Sequence, residues 1–429
     1  MNPWWERHQT GLLAGVVVAG VAIRVVLLPT PGFVGDIDTF VGWVGDIARS
    51  GLPHAYDANL SFGPVMAFVW WLIGVLDPAL VGAVGSSDPA VRVVMKLPAV
   101  AADLAIAGIA WSALRQRPGW ATLAVAVLLL HPAIWFVSAW WGTYDSVYTA
   151  FAVAAFALAI RKRNALAVVA IVLAVMTKPQ AAPLAVPLAA WFLGRANWQR
   201  SDIMATGAAI ARLSVLAAVG VFTLVLLWLP FLAANGPSRY VDGLGRYQGE
   251  LYAMLSISAW NPWWIMQQVL AGGRFILDSA LQVGGLSFRI MGYGLTGLLL
   301  LGVAACVAAR PTPRVLALGL AAASLVAFEF LTTMHERYVF AVLPMLVFLI
   351  DDPRIRRLMW VFGATFFFNL LSATDLYLDT IIPVSGPITV VGSLVNVGCL
   401  AFLLLELVRS SRGTESPTML SEAVPAAAV

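Results

Sequence analysis

Gly35-Asp36-Ile37-Asp38-Thr39-Phe40 follows an apolar run at 11–28 and sets two carboxylates two residues apart, at what that run makes a membrane surface. Two readings are open. Ile37, Phe40, Val41, Val44, Ile47 and Ala48 recur at helical spacing, so Asp36 or Asp38 can cap an interfacial helix by accepting its first orphan amides. Alternatively, one carboxylate is a general base working just outside the bilayer.

Composition sets the frame for that stretch. Of the residues 61% are hydrophobic and 11% charged, where a soluble domain carries roughly a quarter charged. The chain is therefore an all-α polytopic integral membrane protein. Apolar runs recur from Gly11 to Val408 without a long polar insert, which argues one integral domain over 1–409 and a disordered, Ser-, Pro- and Ala-rich cytoplasmic tail over 410–429. The net charge of +4 is spread over short Arg-containing loops, so it reports topology and excludes a nucleic-acid surface. Cys306 and Cys399 fall in apolar runs and offer neither a disulfide framework nor a thiolate metal site. The first apolar run contains Arg24 and lacks a small-residue cleavage site before Pro29, so it reads as an anchored helix.

Requiring Lys and Arg to fall on alternate loops orders the remaining runs. If 62–76 crossed the membrane, Arg115, Arg117 and Arg161-Lys162-Arg163 would be thrown outside. With 62–76 in the interface, about 12 crossings result: 11–28, 92–114, 119–137, 145–160, 165–176, 180–193, 207–232, 287–309, 315–332, 338–350, 358–371 and 386–408. Every basic cluster then faces the cytoplasm, as do both termini. One outer face receives a long first loop (29–91), Trp140-Trp141-Gly142-Thr143-Tyr144-Asp145, Thr177-Lys178-Pro179, a second large segment (233–286) and Met334-His335-Glu336-Arg337. Crossings such as 165–176 and 338–350 fall short of the roughly 20 residues needed to span, which implies a cavity at their outer ends. Trp140, Trp141, Trp260, Trp263 and Trp264 read as interfacial anchors or as sugar-stacking rings. Arg92, Lys96 and Asp103, at spacings of four and seven, share a helical face and suggest an inward ion network. No internal repeat of the kind common in secondary transporters is visible.

An outer cavity with a carboxylate at one end and Lys178, His335 and Arg337 at the other can hold a lipid phosphate while the carboxylate deprotonates a hydroxyl. The bland alternatives are snorkelling anchors for Lys178 and Arg337 and a structural role for His335. Four isolated histidines (His8, His54, His131, His335) give no metal-ligand spacing, and no Ser/His/Asp triad, Walker loop or dinucleotide fingerprint is present.

Four segments in order carry a resemblance to a known family. They are Gly35-Asp36-Ile37-Asp38 with Phe40, Trp43, Gly51 and Tyr56; His131-Pro132 leading to Ser138-Ala139-Trp140-Trp141-Gly142-Thr143-Tyr144-Asp145-Ser146; Thr177-Lys178-Pro179-Gln180; and Met334-His335-Glu336-Arg337-Tyr338. The chain resembles the polyprenol-phosphate-dependent glycosyltransferases of the membrane-embedded GT-C fold. It looks closest to bacterial mannosyltransferase-like proteins related to the second mannosyltransferase of GPI-anchor synthesis. It is similar, more distantly, to the glucosyltransferases of asparagine-linked glycan assembly. Thr143 stands where these proteins usually have Gln, Phe62-Gly63-Pro64 replaces Tyr-Pro-Pro, and the Asn-rich motif around Asn261-Pro262-Trp263 is partly kept.

The resemblance implies that Asp36 rather than Asp38 is the catalytic base, that the first outer loop holds membrane-parallel helices, and that no metal or other cofactor is required. The reading that follows is an inverting hexosyltransferase of the inner membrane with an extracytoplasmic active site. It uses a polyprenyl-phosphate sugar, most simply mannose, and a glycan, glycolipid or protein acceptor. Arg337 and Lys178 would hold the donor phosphate with His335 in support, and Asp38, Tyr144, Asp145, Glu336 and Trp141 would orient sugar or acceptor. A lipid or glycolipid flippase could use the same cations for a head group, but would need polar residues along the inner halves of the spans, which here are nearly all Ala, Val and Leu.

The charge count that keeps 62–76 in the interface predicts that cysteines placed at Ser61 and at Ser87 are both labelled from outside by an impermeant thiol reagent. Labelling of only one restores a thirteenth crossing.

Overall fold

The computed structural model describes residues 3–83, 85–196, 198, 203–280, 282–374 and 385–413. In chain order the α-helices are α1 (Pro3–Leu27), α2 (Val34–Ser50), α3 (Pro64–Leu76), α4 (Pro89–Leu114), α5 (Pro118–Leu130), α6 (Pro132–Trp135), α7 (Asp145–Ile160), α8 (Asn164–Val175), α9 (Ala182–Arg195), α10 (Ile203–Trp228), α11 (Gly236–Arg246), α12 (Pro262–Ala271), α13 (Phe288–Ala309), α14 (Pro313–Phe330), α15 (Val342–Leu346), α16 (Pro353–Ala373) and α17 (Pro387–Arg412). They form two compact units, one of Met1–Ala182 with Ser214–Tyr247, the other of Pro183–Leu213 with Gln248–Val429.

In the first unit α4 packs against α5 and α7, and α1 lies on α5. The α4 sequence places Met95, Ala99, Ala102, Ile106 and Ala110 on one buried stripe at three- and four-residue spacing, and its small side chains let neighbours approach closely. At the centre, Arg24 of α1 donates to Asp103 Oδ2 from Nε (2.9 Å) and Nη2 (2.7 Å), both side chains being fully buried. Its Nη1 donates to the carbonyls of Gly20 (3.0 Å) and Leu129 (2.8 Å). The Ser138 hydroxyl donates to the same carboxylate oxygen. Thus the charge that argued against a cleaved leader is the knot of this bundle.

The α2 stripe predicted from spacing is buried: Ile37, Phe40, Val41, Val44 and Ile47 cluster with Met66 and Trp70 of α3 and with Tyr144. The shared face of Arg92, Lys96 and Asp103 is also present, but the ion network is not. Arg92 donates to the carbonyl of Ser87 (2.9 Å), Lys96 to that of Thr30 (2.9 Å), and Asp103 takes its cation from α1. One helical face meets three different segments, and each side chain answers the one opposite it.

In the second unit α14 is buried nearly all round, packed against α13, α15 and α17, while α16 packs on α17. Arginines gather at one end of this unit. Arg310 donates to Ser410 O (2.9 Å), Arg314 pairs with Asp352 (2.7 Å), and Arg409 pairs with Glu406 (2.7 Å).

Among the described residues six helices, α1, α4, α10, α13, α14 and α17, are long and apolar enough to cross a membrane, and the pair at 118–130 and 132–141 makes up to seven. That pair puts a bend into the crossing expected at 119–137. Pro132 has no N–H to continue the helix, His131 Nδ1 accepts from Ala133 N (3.2 Å), and the two parts bend by 45°. The stretch at 338–350 is no long helix either. It is a run of turns whose i to i+3 bonds lead through the five-residue α15, and it is buried throughout. Four of the five tryptophans read as anchors or sugar platforms, Trp141, Trp260, Trp263 and Trp264, are core residues at 1–5% exposure. The expected tail starts late, since α17 continues to Arg412; residues 414–429 lie outside the described ones.

Arg24→Ala leaves a buried carboxylate uncompensated and is expected to cost about 3–5 kcal/mol, read as a marked fall in thermal midpoint in detergent. Arg24→Leu combined with Asp103→Leu should recover most of it. A double variant no better than the single one contradicts the pairing.

Candidate active site

The first unit assembles its polar residues around the start of α2. Helix α2 begins after Phe33, whose side chain makes no capping bond, and Asp36 stands in the first turn, where a carboxylate is favoured by the helix dipole. Asp36 is half-buried, and its Oδ2 accepts from Trp141 Nε1 at 2.8 Å. Trp141 itself is fully buried and stacks on Phe33 with ring centroids 5.0 Å apart. A buried indole stacked on Phe33 thus aims the carboxylate.

Asp38 has a different task. Its Oδ1 accepts from the backbone N (2.7 Å) and the hydroxyl (2.6 Å) of Ser86, pinning the far end of the first loop to α2. Asp38 thus ties a loop 48 residues away, whereas Asp36 stays in the first turn of α2.

Trp141 closes a π-helical turn, Phe136–Trp141, that ends on Gly142 at φ +90°, where a Cβ would come within 3.2 Å of Ile37. Only glycine takes that conformation without strain. Beyond it, Thr143 Oγ1 donates to Asp145 Oδ2 (3.0 Å), and the Tyr144 hydroxyl donates to Met95 O (2.9 Å). Tyr144 is enclosed, its ring 4.9 Å from that of Phe40, and burial holds its phenol well above the ordinary value. It stays a neutral donor.

Lys178 is buried with Nζ 2.7 Å from Asp145 Oδ1, and it sits 5.5 Å from the centroid of the Phe62 ring. The backbone explains the meeting. Gly63 N donates to Thr177 O (3.1 Å) and Val65 N to Met176 O (3.1 Å), and a Cβ on Gly63 would fall 2.1 Å from Met176 O. The Phe62-Gly63-Pro64 departure therefore has a geometric use: glycine lets the loop dock, and Phe62 lies beneath the lysine.

In the second unit, Met334-His335 pairs in parallel with Ser256-Ile257, and Thr333 N donates to Met254 O (3.0 Å). Thr332 Oγ1 donates to Asp278 (2.7 Å), which is also paired with Arg289 (2.7 Å). The segment is thus anchored from both sides before it presents its charges. Arg337 Nη1 donates to Glu336 Oε1 (2.7 Å), and its guanidinium lies 5.6 Å from the Tyr338 ring centroid. His335 is packed between the rings of Tyr252 (5.2 Å) and Tyr338 (4.9 Å), with Nδ1 4.0 Å from Glu336 Oε2.

Asp36, Trp141, Tyr144, Asp145 and Lys178 are therefore brought together in the first unit, and His335, Glu336 and Arg337 in the second. Sequence reasoning missed the pairing of Lys178 with Asp145, Ser86 as the partner of Asp38, and Tyr252 against His335. These partners are separated by 33, 48 and 83 positions in the chain, so no local pattern signals them. Among the described residues no group of three or more His, Cys, Asp or Glu could hold a metal ion.

Residues 59–242 match the ALG6, ALG8 glycosyltransferase family. No curated protein sequence matches the chain. Among solved structures, ArnT from Cupriavidus metallidurans, solved with undecaprenyl phosphate bound, is similar with a TM-score of 0.50 at 15% identity, over 94% of this chain and 78% of ArnT. The oligosaccharyltransferase of Archaeoglobus fulgidus is similar with a TM-score of 0.42 at 14% identity, over 96% of this chain and 56% of that one. With the family match over residues 59–242 and the ArnT-like course of nearly the whole chain, this protein is a helical membrane protein of the GT-C glycosyltransferase fold.

Proposed function

We propose that the chain is an inverting hexosyltransferase that takes mannose from a polyprenyl phosphate and passes it to an acceptor hydroxyl on the extracytoplasmic face of the inner membrane. The family match and the fold support a transferase that draws on a lipid-linked sugar. The observation that carries the rest is the Asp36 carboxylate, half-buried at a helix start and aimed by the buried Trp141. In the proposed step Asp36 takes the acceptor proton as the acceptor oxygen attacks the anomeric carbon from the face opposite the phosphate. The bond from that carbon to the phosphate oxygen breaks, its electron pair leaves with the polyprenyl phosphate, and the anomeric configuration inverts.

Positive charge on the departing phosphate lowers the barrier. Arg337, with its planar fork, and His335 beside it are assigned to that phosphate. Lys178 is the second cation of this assignment, held in position by Asp145 and seated on Phe62. Asp38, Tyr144, Asp145, Glu336 and Trp141 are assigned to orienting sugar and acceptor. The bond to Ser86 makes Asp38 act through the loop it holds.

Asp36→Asn keeps an oxygen that can accept from Trp141 Nε1, so the fold should survive. It cannot take a proton at neutral pH. Transfer of radiolabelled mannose from polyprenyl phosphate by the purified protein with membrane extract should fall by roughly two to four orders of magnitude, with donor binding largely kept. Asp38→Asn should lose far less. An active Asp36→Asn protein overturns the assignment, and a wild-type protein that transfers glucose but not mannose overturns the donor sugar. Arg337→Ala should raise the donor requirement far more than the acceptor requirement, with partial rescue by Arg337→Lys because the two-pronged contact is lost. A selective rise in acceptor requirement would reassign Arg337.

A further inference from the structure

Helices α16 and α17 do not close on each other along their whole length. Between them runs a cavity of about 310 Å³, walled by Leu358 and Val361 of α16 and by Val395 and Phe402 of α17, with Arg354 and Arg357 at one end. The cavity is at the lower limit of ligand-sized pockets. Gly398 forms part of its wall, and a Cβ built there would meet nothing within 4 Å. Outward-facing residues on the same two helices are apolar and exposed: Trp360 (54%), Val391 (59%), Leu394 (57%) and Leu405 (55%). The groove thus opens on a hydrocarbon-compatible face and ends in cations.

Those cations differ in how much of their charge is already spent. Glu406, fully buried, is paired with Arg409 at 2.7 Å and with the exposed Arg354 at only 3.6 Å. Arg357 is exposed, with no ion pair among the described residues. Arg310, Arg314, Arg409 and Arg412 stand at the same end of the unit. An occupant must therefore be apolar along about 10 Å, the distance from Arg354 to Val361 at 1.5 Å per residue, and anionic at one end. Basic pockets between membrane helices take phosphate head groups in this way.

We infer that the α16/α17 groove is a seat for an anionic glycerophospholipid of the bilayer, its phosphate on Arg354 and Arg357 and the first part of one acyl chain along Leu358, Val361, Val395 and Phe402. Neither residue belongs to the transfer site, so this lipid site stands apart from the proposed reaction. Native mass spectrometry of the purified full chain, titrated with phosphatidylglycerol and with phosphatidylcholine, tests it. Phosphatidylglycerol should be retained preferentially. Arg354→Gln and Arg357→Gln should each reduce that preference about fivefold; Arg409 still pairs with Glu406 in the first. Gly398→Phe, which fills open space, should abolish retention while leaving the lipid-free thermal midpoint unchanged. Equal retention of the two lipids, or an undiminished preference in Gly398→Phe, overturns the inference. Displacement of phosphatidylglycerol by equimolar polyprenyl phosphate, or a dimer that Gly398→Phe dissociates, overturns the choice of occupant.

Discussion

The buried pair of Arg24 and Asp103 is the constraint on which the first unit depends. A guanidinium in a membrane helix is tolerable when every donor finds an oxygen, and Arg24 finds Asp103 and the carbonyls of Gly20 and Leu129. These bonds join α1, α4 and the end of α5. The same Asp103 oxygen accepts from Ser138, inside the π-helical turn that ends at Trp141. Trp141 in turn aims Asp36. Three side-chain contacts and the backbone of that turn thus lead from a fully buried ion pair to the carboxylate assigned as the base.

Pairing recurs at three other cations of the two units. Lys178 with Asp145, Arg337 with Glu336, and Arg289 with Asp278 are each 2.7 Å apart. Within low-dielectric surroundings an uncompensated ion is costly, so each cation is stored next to an acid and placed by it. Lys178 and Arg337 therefore have defined positions, which is the kind of preorganisation that the electrostatic role proposed for them needs.

Much of the helical plan was legible because apolar runs and basic loops are local signals. Residues 145–160 coincide with α7, and 287–309 is displaced by one residue from α13. Misreadings came where hydropathy and backbone geometry diverge. The stretch at 338–350 is apolar enough to cross, yet it is a buried string of turns with one short α-helix and one 3-10 turn. At 119–137, Pro132 breaks the ladder within an apolar run. Trp260, Trp263 and Trp264 were misplaced for a similar reason: an aromatic near a helix end suits the interface and the core equally by composition, and packing chose the core.

By itself the sequence determined the class of the molecule, since a chain that is 61% hydrophobic with arginines in short loops must satisfy its backbone internally and lie in a bilayer as helices. It also singled out the candidate site residues, because carboxylates and cations beside apolar runs stand out against their surroundings. Only the tertiary structure decided what those residues do to one another. Asp38 takes its bonds from Ser86, 48 positions on, and Asp36 takes one from Trp141, 105 positions on. Helical and turn propensities act over a few residues, whereas a hydrogen bond or ion pair joins whatever the packed backbone brings within 3 Å, and that is a property of the folded chain.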